Sequence, residues 1–440
     1  MWNTQTERVV SVPGPVGSTT TLQLNAPIVI ERSGITVGGS APMPKLVRYD
    51  PALVLNTNNV PTPGCQHLME IGANVSNLII EKFEFEGSAG AYAGHCKGSN
   101  SVEAQPSAED LAFKGQNSNV TIRDSEFRNA ISRALLIYAS NINGVTITGT
   151  RFVEPNLVGI LVGNNFVWDG GQPPNMVPQH PFCDALSGGL PAAAVADVPR
   201  NIVISWNIFL RSWTGAVALN HSRQVNVQYN LFTDNYQRPY DAGGGTMNTT
   251  ECDYDTKILE NVFNVSGLNL PVCKGTVALE LNGIKEDVQG NTMKGYPSAV
   301  VIARNSKDLR ITGNQMEDNG RTIIDTFVYA GIELWNQYKF RAATGIVIEN
   351  NTITNPSSPP PTTGTLAYGV RLSRHTCEPP LVPDSTVLPC GQDTNQDLIY
   401  NVRIMGNTLT NMSMAPYCIT SGTQTSTPPW TLQAGGVTCN

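Results

Sequence analysis

Charge is scarce in this 440-residue chain: only 14% of residues are Asp, Glu, Lys or Arg, and the formal net charge is −7. A chain so poor in charge lacks the Glu/Lys pairs that support long surface helices. Its negative balance leaves little to neutralise phosphates, which excludes nucleic acid as a partner. No apolar run approaches the roughly 20 residues needed to span a bilayer. No charged-then-apolar leader opens the sequence, so a signal peptide is expected to have been removed or never present. CxxC pairs and clustered Cys/His spacings are missing, which argues against a bound metal. The glycine-rich stretches NGVTITG and GGSAG precede no helix and therefore cradle no phosphate. The patterns near GxSxG lack the strand–turn–helix context of a serine hydrolase.

What the chain has in quantity is Gly (40) and Pro (30), the residues of many short strands joined by tight turns. It also has nine cysteines, an odd number that leaves at least one unpaired and points to an oxidising compartment. Taken in order, Cys65/Cys96, Cys252/Cys273, Cys377/Cys390 and Cys418/Cys439 each close a local loop, with Cys183 left over. The alternative is a set of buried thiols.

One phrase recurs: apolar–x–apolar, two or three residues, Asn or a small residue, one more residue, then a large apolar side chain. It reads LIIEKFEF (78–85), VTIRDSEF (120–127), VTITGTRF (145–152), IVISWNIF (202–209) and VNVQYNLF (225–232). It continues as TKILENVF (256–263), EDVQGNTM (286–293), LRITGNQM (309–316), IVIENNTI (346–353) and VRIMGNTL (402–409). The closest copies start 23 or 25 residues apart, and the apolar positions alternate with period two. That period is too short for a helical hairpin, and the alternation belongs to strands. A coil of three short strands per turn remains, stacked in parallel on the next turn. Asn207, Asn230, Asn261, Asn291, Asn314, Asn351 and Asn407 fall at the bend, where each amide can bond its equivalent one coil away and tolerates left-handed backbone angles. The sequons at Asn119 and Asn350 read as by-products of such ladders.

This phrase resembles the repeat of the right-handed parallel β-helix family, which includes pectate lyases, polygalacturonases, alginate lyases and epimerases, and tailspikes. The resemblance spans about residues 20–425 and implies an all-β, single-stranded solenoid of about ten or more coils with inserted loops. It implies little about chemistry, because one scaffold hosts many activities. The Asp pairs and GHG of polygalacturonases, the WiDH of pectate lyases and the DPHD of alginate epimerases are absent, so no catalytic residue carries over. The expected division is a cap with irregular first coils (1–76), the solenoid (77–425) and a tail (426–440). Insertions interrupt the period at 88–118, 165–199, 355–367 and 376–400; three of them directly follow or precede the third strand described next and are expected to wall one face.

A third strand follows most copies: ALLIYAS (134–140), VGILVGN (158–164), GAVALNH (215–221), TVALELN (276–282), SAVVIAR (298–304), AGIELWN (330–336) and YGVRLSR (368–374). RPYDAGGGT (238–246) takes the same slot in the fifth repeat and breaks the alternation. Inward positions include Leu279, Leu281, Val300, Ile302, Ile332 and Leu334. Outward positions pair Leu136 with Tyr138, Leu161 with Gly163, Ala218 with Asn220, Glu280 with Asn282, Val301 with Ala303, Glu333 with Trp335, and Arg371 with Ser373. His221, Arg304, Arg374 and His375 lie just past these strands, and Asp241 sits in the irregular slot.

In a chain with so little charge, carboxylates, guanidiniums and imidazoles collect on one face. Asp241, Glu280 and Glu333 are the candidate catalytic carboxylates. Tyr138, Asn220, His221, Arg304, Trp335, Arg371, Arg374 and His375 are candidate substrate contacts, the aromatics as stacking faces for sugar rings. Strands about 4.8 Å apart put Asp241 and Glu280 on adjacent coils, and Glu280 and Glu333 about 9.6 Å apart along the axis. Inverting glycosidases separate their carboxyls by about 6.5–9.5 Å and retaining ones by about 5–5.5 Å, so both geometries stay open. A lyase is the competing chemistry, with the arginines clamping a uronate and the three carboxylates holding calcium; otherwise no cofactor is implied. No Lys stands in the column. The reading that follows is a secreted or cell-surface carbohydrate-active protein with a polysaccharide or oligosaccharide partner, hydrolysis preferred over elimination, monomeric rather than trimeric. A glycan-binding spike and a structural solenoid are the non-enzymatic alternatives. Because Glu280 points outward, its exchange for Gln is expected to change stability by less than about 0.5 kcal/mol.

Overall fold

The computed structural model describes residues 21–24, 28–39, 43–48, 67–87, 109–139, 141–155, 157–163, 198–212, 215–235, 245–249, 253–265, 277–296, 299–304, 306–320, 330–336, 343–355, 366–374, 399–420, 431–432 and 436–439. Among them every regular element is a strand. The strands form three parallel sheets of 12, 13 and 12 members, in which each strand pairs with the one three places on in the chain, except that Ala415–Thr420 pairs with Gly436–Cys439, two places on. One coil shows the plan. Gly215–Asn220 lies in the second sheet, Arg223–Gln228 in the third and Leu231–Thr233 in the first, before the chain returns to the second at Gly245–Asn248.

Each repeat phrase therefore spans two sheets. In VNVQYNLF the residues up to Gln228 belong to the third sheet and Leu231–Thr233 to the first. The turn between them is made by the residue before the ladder position, which is left-handed in all ten phrases, from Lys82 (φ 59°) and Asp124 (φ 50°) to Gly313 (φ 64°) and Gly406 (φ 64°). The ladder asparagines themselves stay out of that region; their work is done by the side chain. Backbone N–H groups of Asn207, Asn230, Asn261 and Asn291 each donate to the Oδ1 of the next ladder Asn at 2.9 Å, and Asn314 and Asn351 extend the series. In earlier coils Ser125 takes the slot, its Oγ accepting from the Phe83 N–H. A buried bend would otherwise strand its polar groups.

Inside the first sheet, Phe85, Phe127, Phe152, Phe209, Phe232 and Phe263 are fully buried and stacked with centroids 4.4–5.1 Å apart. Each buried ring contributes about 1.5–3 kcal/mol of transfer free energy, and each offset pair about 0.5–1.5 more. Met293 and Met316 continue the row.

The N-terminal strands Ile28–Ile30, Thr36–Gly38 and Lys45–Arg48 already lie in register with the coils that follow. At the other end Thr431–Leu432 and Gly436–Cys439 extend the third and second sheets. The end of the first expected insertion is coil, with strands at Leu111–Phe113 and Asn117–Arg123. The remainder of that insertion (88–108), most of the other three, and Cys65, Cys96, Cys183, Cys252, Cys273, Cys377 and Cys390 lie outside the described residues. Cys418 is buried and disulfide-bonded.

Candidate functional site

Register on the second sheet decides which side chains meet. Leu135, Ile160, Val217, Met247, Leu279, Val301, Ile332 and Val370 are aligned and buried as one inward row. The outward row beside it runs Leu136, Leu161, Ala218, Asn248, Glu280, Ile302, Glu333, Arg371. Two expectations change. In SAVVIAR the strand's inward residues are Val301 and Ala303 and Ile302 faces outward, while Val300, just before the strand, is buried in the core as expected. Two consecutive valines make either register possible by alternation, but the other one would aim Arg304 into the apolar core. The observed one turns Arg304 outward. The second change is at the fifth slot, where the strand is Gly245–Asn248, seven residues later than Asp241 implied; Met247 fills the core position and Asn248 is the neighbour of Glu280. Asp241 lies outside the described residues.

Glu280 and Glu333 thus share one column, two rungs apart with Ile302 between. Strand spacing sets this at about 9.6 Å along the axis, at the upper edge of the inverting separation. Each carboxylate carries a guanidinium. Arg304 Nη1 reaches Glu280 Oε1 at 2.9 Å, and Arg371 Nη1 reaches Glu333 Oε1 at 3.1 Å. The first pair is not a solvated surface bridge, since Glu280 is 6% exposed and Arg304 8%; in the second Glu333 is 9% exposed and the Arg371 side chain 23%. Outward-facing residues that are nonetheless buried depart from the expected open strip.

Of the other sequence candidates, Tyr138, Gly163 and Asn220 form the parallel outward row. A Cβ on Gly163 would lie 2.8 Å from the Tyr138 ring, so that ring lies across the sheet, and its hydroxyl accepts from Asn220 Nδ2 at 3.4 Å. His221 is buried at a left-handed corner (φ 61°) beyond Asn220. Trp335 and Arg374 lie in the strand Ala330–Asn336 and at the end of Tyr368–Arg374, their side chains outside the described set; His375 lies outside the described residues. Among the described residues no group of three or more His, Cys, Asp or Glu could hold a metal ion.

Comparisons with known proteins fall on the fold. No family model matches the chain, and no curated protein matches it either. Among solved structures, a mutant of the periplasmic alginate epimerase AlgG superposes with a TM-score of 0.51 at 12% identity, over 92% of this chain and 76% of that one. The Streptococcus pneumoniae surface protein and adhesin PfbA gives 0.52 at 12% identity, over 91% and 90%. This chain is a right-handed parallel β-helix.

On the β-helix, two polar clusters escaped the sequence reading. Behind the strip, Glu286 occupies an inward position of Ile284–Gln289 and is 1% exposed. Thr249 Oγ1 donates to its Oε1 at 2.6 Å and accepts from the Asn282 N–H at 2.9 Å. Its signal was present: EDVQGNTM has Glu where the other copies begin with Val, Ile, Leu or, once, Thr.

The second cluster lies at the entry to the second sheet in earlier coils. His67 Nδ1 is 3.0 Å from Glu109 Oε2, Arg133 Nη1 is 3.0 Å from Glu109 Oε1, and Lys114 Nζ is 3.0 Å from His67 Nε2. Burial pushes the Glu109 carboxyl up, but the hydrogen bond from His67 and the charges of Arg133 and His67 outweigh it and hold the carboxyl below the ordinary range. A depressed carboxyl pKa adds stability above the unfolded value of about 4.3, and that stability is lost as pH falls through the folded value. The melting-temperature gap between wild type and Glu109→Gln is therefore expected to be widest near neutral pH and to close below about pH 4. A gap that stays constant from pH 7 to 3 would remove the charge network from the stability of these coils.

Proposed function

We propose that this β-helix acts on a polysaccharide along the outer face of its second sheet, by hydrolysis between Glu280 and Glu333. The observation that carries the reading is their shared column: two carboxylates on neighbouring-but-one rungs of a rigid sheet, each steadied by an arginine. One protonates the leaving oxygen and the other activates water from the opposite side. The axial separation favours inversion. Asn220, Asn248 and Asn282 supply donors and acceptors for sugar hydroxyls, and Tyr138 an aromatic face. The fold neighbours described as an alginate epimerase and a surface adhesin support a glycan ligand and an extracellular or surface location for this chain.

Uronate chemistry is the second reading. Arg304 and Arg371 favour it, because on binding a uronate each could exchange its glutamate for the ligand's carboxylate. A panel of plant, algal and bacterial polysaccharides tests both. New reducing ends without ultraviolet absorbance of an unsaturated uronate mean hydrolysis; reducing ends with that absorbance mean elimination. Retention of a polysaccharide without products means a binding protein, and no cleavage or retention on any polymer would overturn the assignment.

A further inference from the structure

At the bend between the third and first sheets the left-handed slot is filled by residues such as Asp124, Gly149, Gly290, Gly313, Asn350 and Gly406. Glycine enters that conformation without penalty, and Asp and Asn with a small one. Lys82 (φ 59°) and Glu260 (φ 54°) depart from this with flexible side chains, and two successive coils depart further, with the rings of Trp206 (φ 58°) and Tyr229 (φ 56°). Bulky rings are outliers there, and burial does not compensate them, because Trp206 is 64% exposed and Tyr229 44%. The rings stack on each other, centroids 4.7 Å apart and planes 18° from parallel. The opposite face of Trp206 looks along the axis to the preceding coil, where the aligned bend residue, Gly149, has no side chain. A Cβ on Gly149 would stand 2.7 Å from Asp124 Oδ1, so a carboxylate borders the gap on its far side. Ile208, Leu231 and Val262, aligned on the first sheet just past the bend, are also exposed.

We propose that Trp206 and Tyr229 form a stacking platform for a neutral polysaccharide, on the corner away from the second-sheet strip. The proposal rests on the reading that the ligand is a glycan and adds a second surface that holds it. Flat exposed rings, a glycine gap and a carboxylate match a sugar ring with its hydroxyls. Asp124, whose carboxylate lies beside Gly149, accepts from hydroxyls and repels a polyuronate; the Glu260 carboxylate stands one coil further on, over Gly290, and adds to the repulsion. A second copy of the chain fits less well: the five exposed apolar side chains here fall far short of the about 20–30 residues a side of a stable interface.

Electrophoresis in gels containing xylan, β-glucan or galactomannan, beside alginate and polygalacturonate, tests it. Wild type should be retarded by at least one neutral polymer. The double variant Trp206→Gly, Tyr229→Gly should bind that polymer about tenfold more weakly or worse. Its melting temperature should stay unchanged or rise, because Gly suits the slot. Release of reducing ends from a soluble oligosaccharide is read separately in the double variant and should not fall, which keeps failure of the platform distinct from failure of the strip. No retardation of wild type by any neutral polymer, or undiminished retardation of the double variant, would overturn the platform. A lower melting temperature would make the pair structural, and self-association lost in the variant would make it a contact between copies; either outcome also ends the proposal.

Discussion

Glu280→Gln is expected to lower turnover on the polysaccharide that wild type cleaves by about 10²-fold or more. Gln keeps the shape and an acceptor for Arg304 Nη1, now 2.9 Å from Glu280 Oε1, but it cannot exchange a proton. Glu333→Gln should fall as far, since acid and base are both needed. Stability should fall as well, by about 1–3 kcal/mol, because a buried guanidinium loses the charge of the carboxylate it is paired with here. That exceeds the change of less than about 0.5 kcal/mol that an outward position alone suggests; the difference comes from burial, with Glu280 only 6% exposed. Initial rates with a thermal melt for each variant make the measurement. Full turnover in Glu280→Gln would remove it from the chemistry. Turnover kept there but lost in Arg304→Gln would move the reaction to the guanidinium and favour the uronate reading.

The solenoid was legible because its code is local and repeated. Period-two alternation, a 23-residue spacing and an Asn at one bend each recur often enough to outweigh any single irregular copy. Errors arose where a coil offers two solutions to that code. SAVVIAR admits both registers by hydrophobicity, and only the need to keep Arg304 out of the core chooses between them. In the fifth repeat the break at RPYDAGGGT drew attention to Asp241, although two residues beyond its glycines lay an apolar–polar pair, Met247 and Asn248, that fits the column. Burial of the Glu–Arg pairs was not legible, because alternation reports direction and not what covers a side chain. Glu286 and Trp206 were visible as the wrong residue type for their slot: a carboxylate at a core position, an aromatic at a left-handed bend. Such misfits are where function or strain is expected. His67, Glu109 and Arg133 left no comparable trace, since they precede their strands and meet only through stacking of coils with unequal insertions.

The largest stability effect is expected at Asn291→Ala. Asn291 is fully buried. Its Oδ1 accepts from the backbone N–H and the Nδ2 of Asn261, at 2.9 and 3.0 Å. Its Nδ2 donates to the Ile258 carbonyl at 2.8 Å and to Asn314 Oδ1 at 3.0 Å. Alanine has no group for any of these, and the cavity it leaves is bounded by the stranded Asn261 N–H and Ile258 carbonyl. At about 1–3 kcal/mol for each buried unsatisfied group, the loss should reach about 3–6 kcal/mol. Asn291→Ser should recover part of it, since the Ser125 hydroxyl already serves the same slot by accepting from the Phe83 N–H. Asn407→Ala should be milder: Asn407 is 8% exposed, so water can reach some of what is abandoned. Position along the axis also matters, because each coil is supported only by its neighbours and a central defect weakens both sides. Denaturant unfolding of the three variants, with hydrogen exchange at the Asn261 amide, gives the ordering. If Asn291→Ala lost no more than about 1 kcal/mol, the bends would be held by the left-handed backbone and the phenylalanine stack alone, and the ladder would only follow a turn that other forces had made.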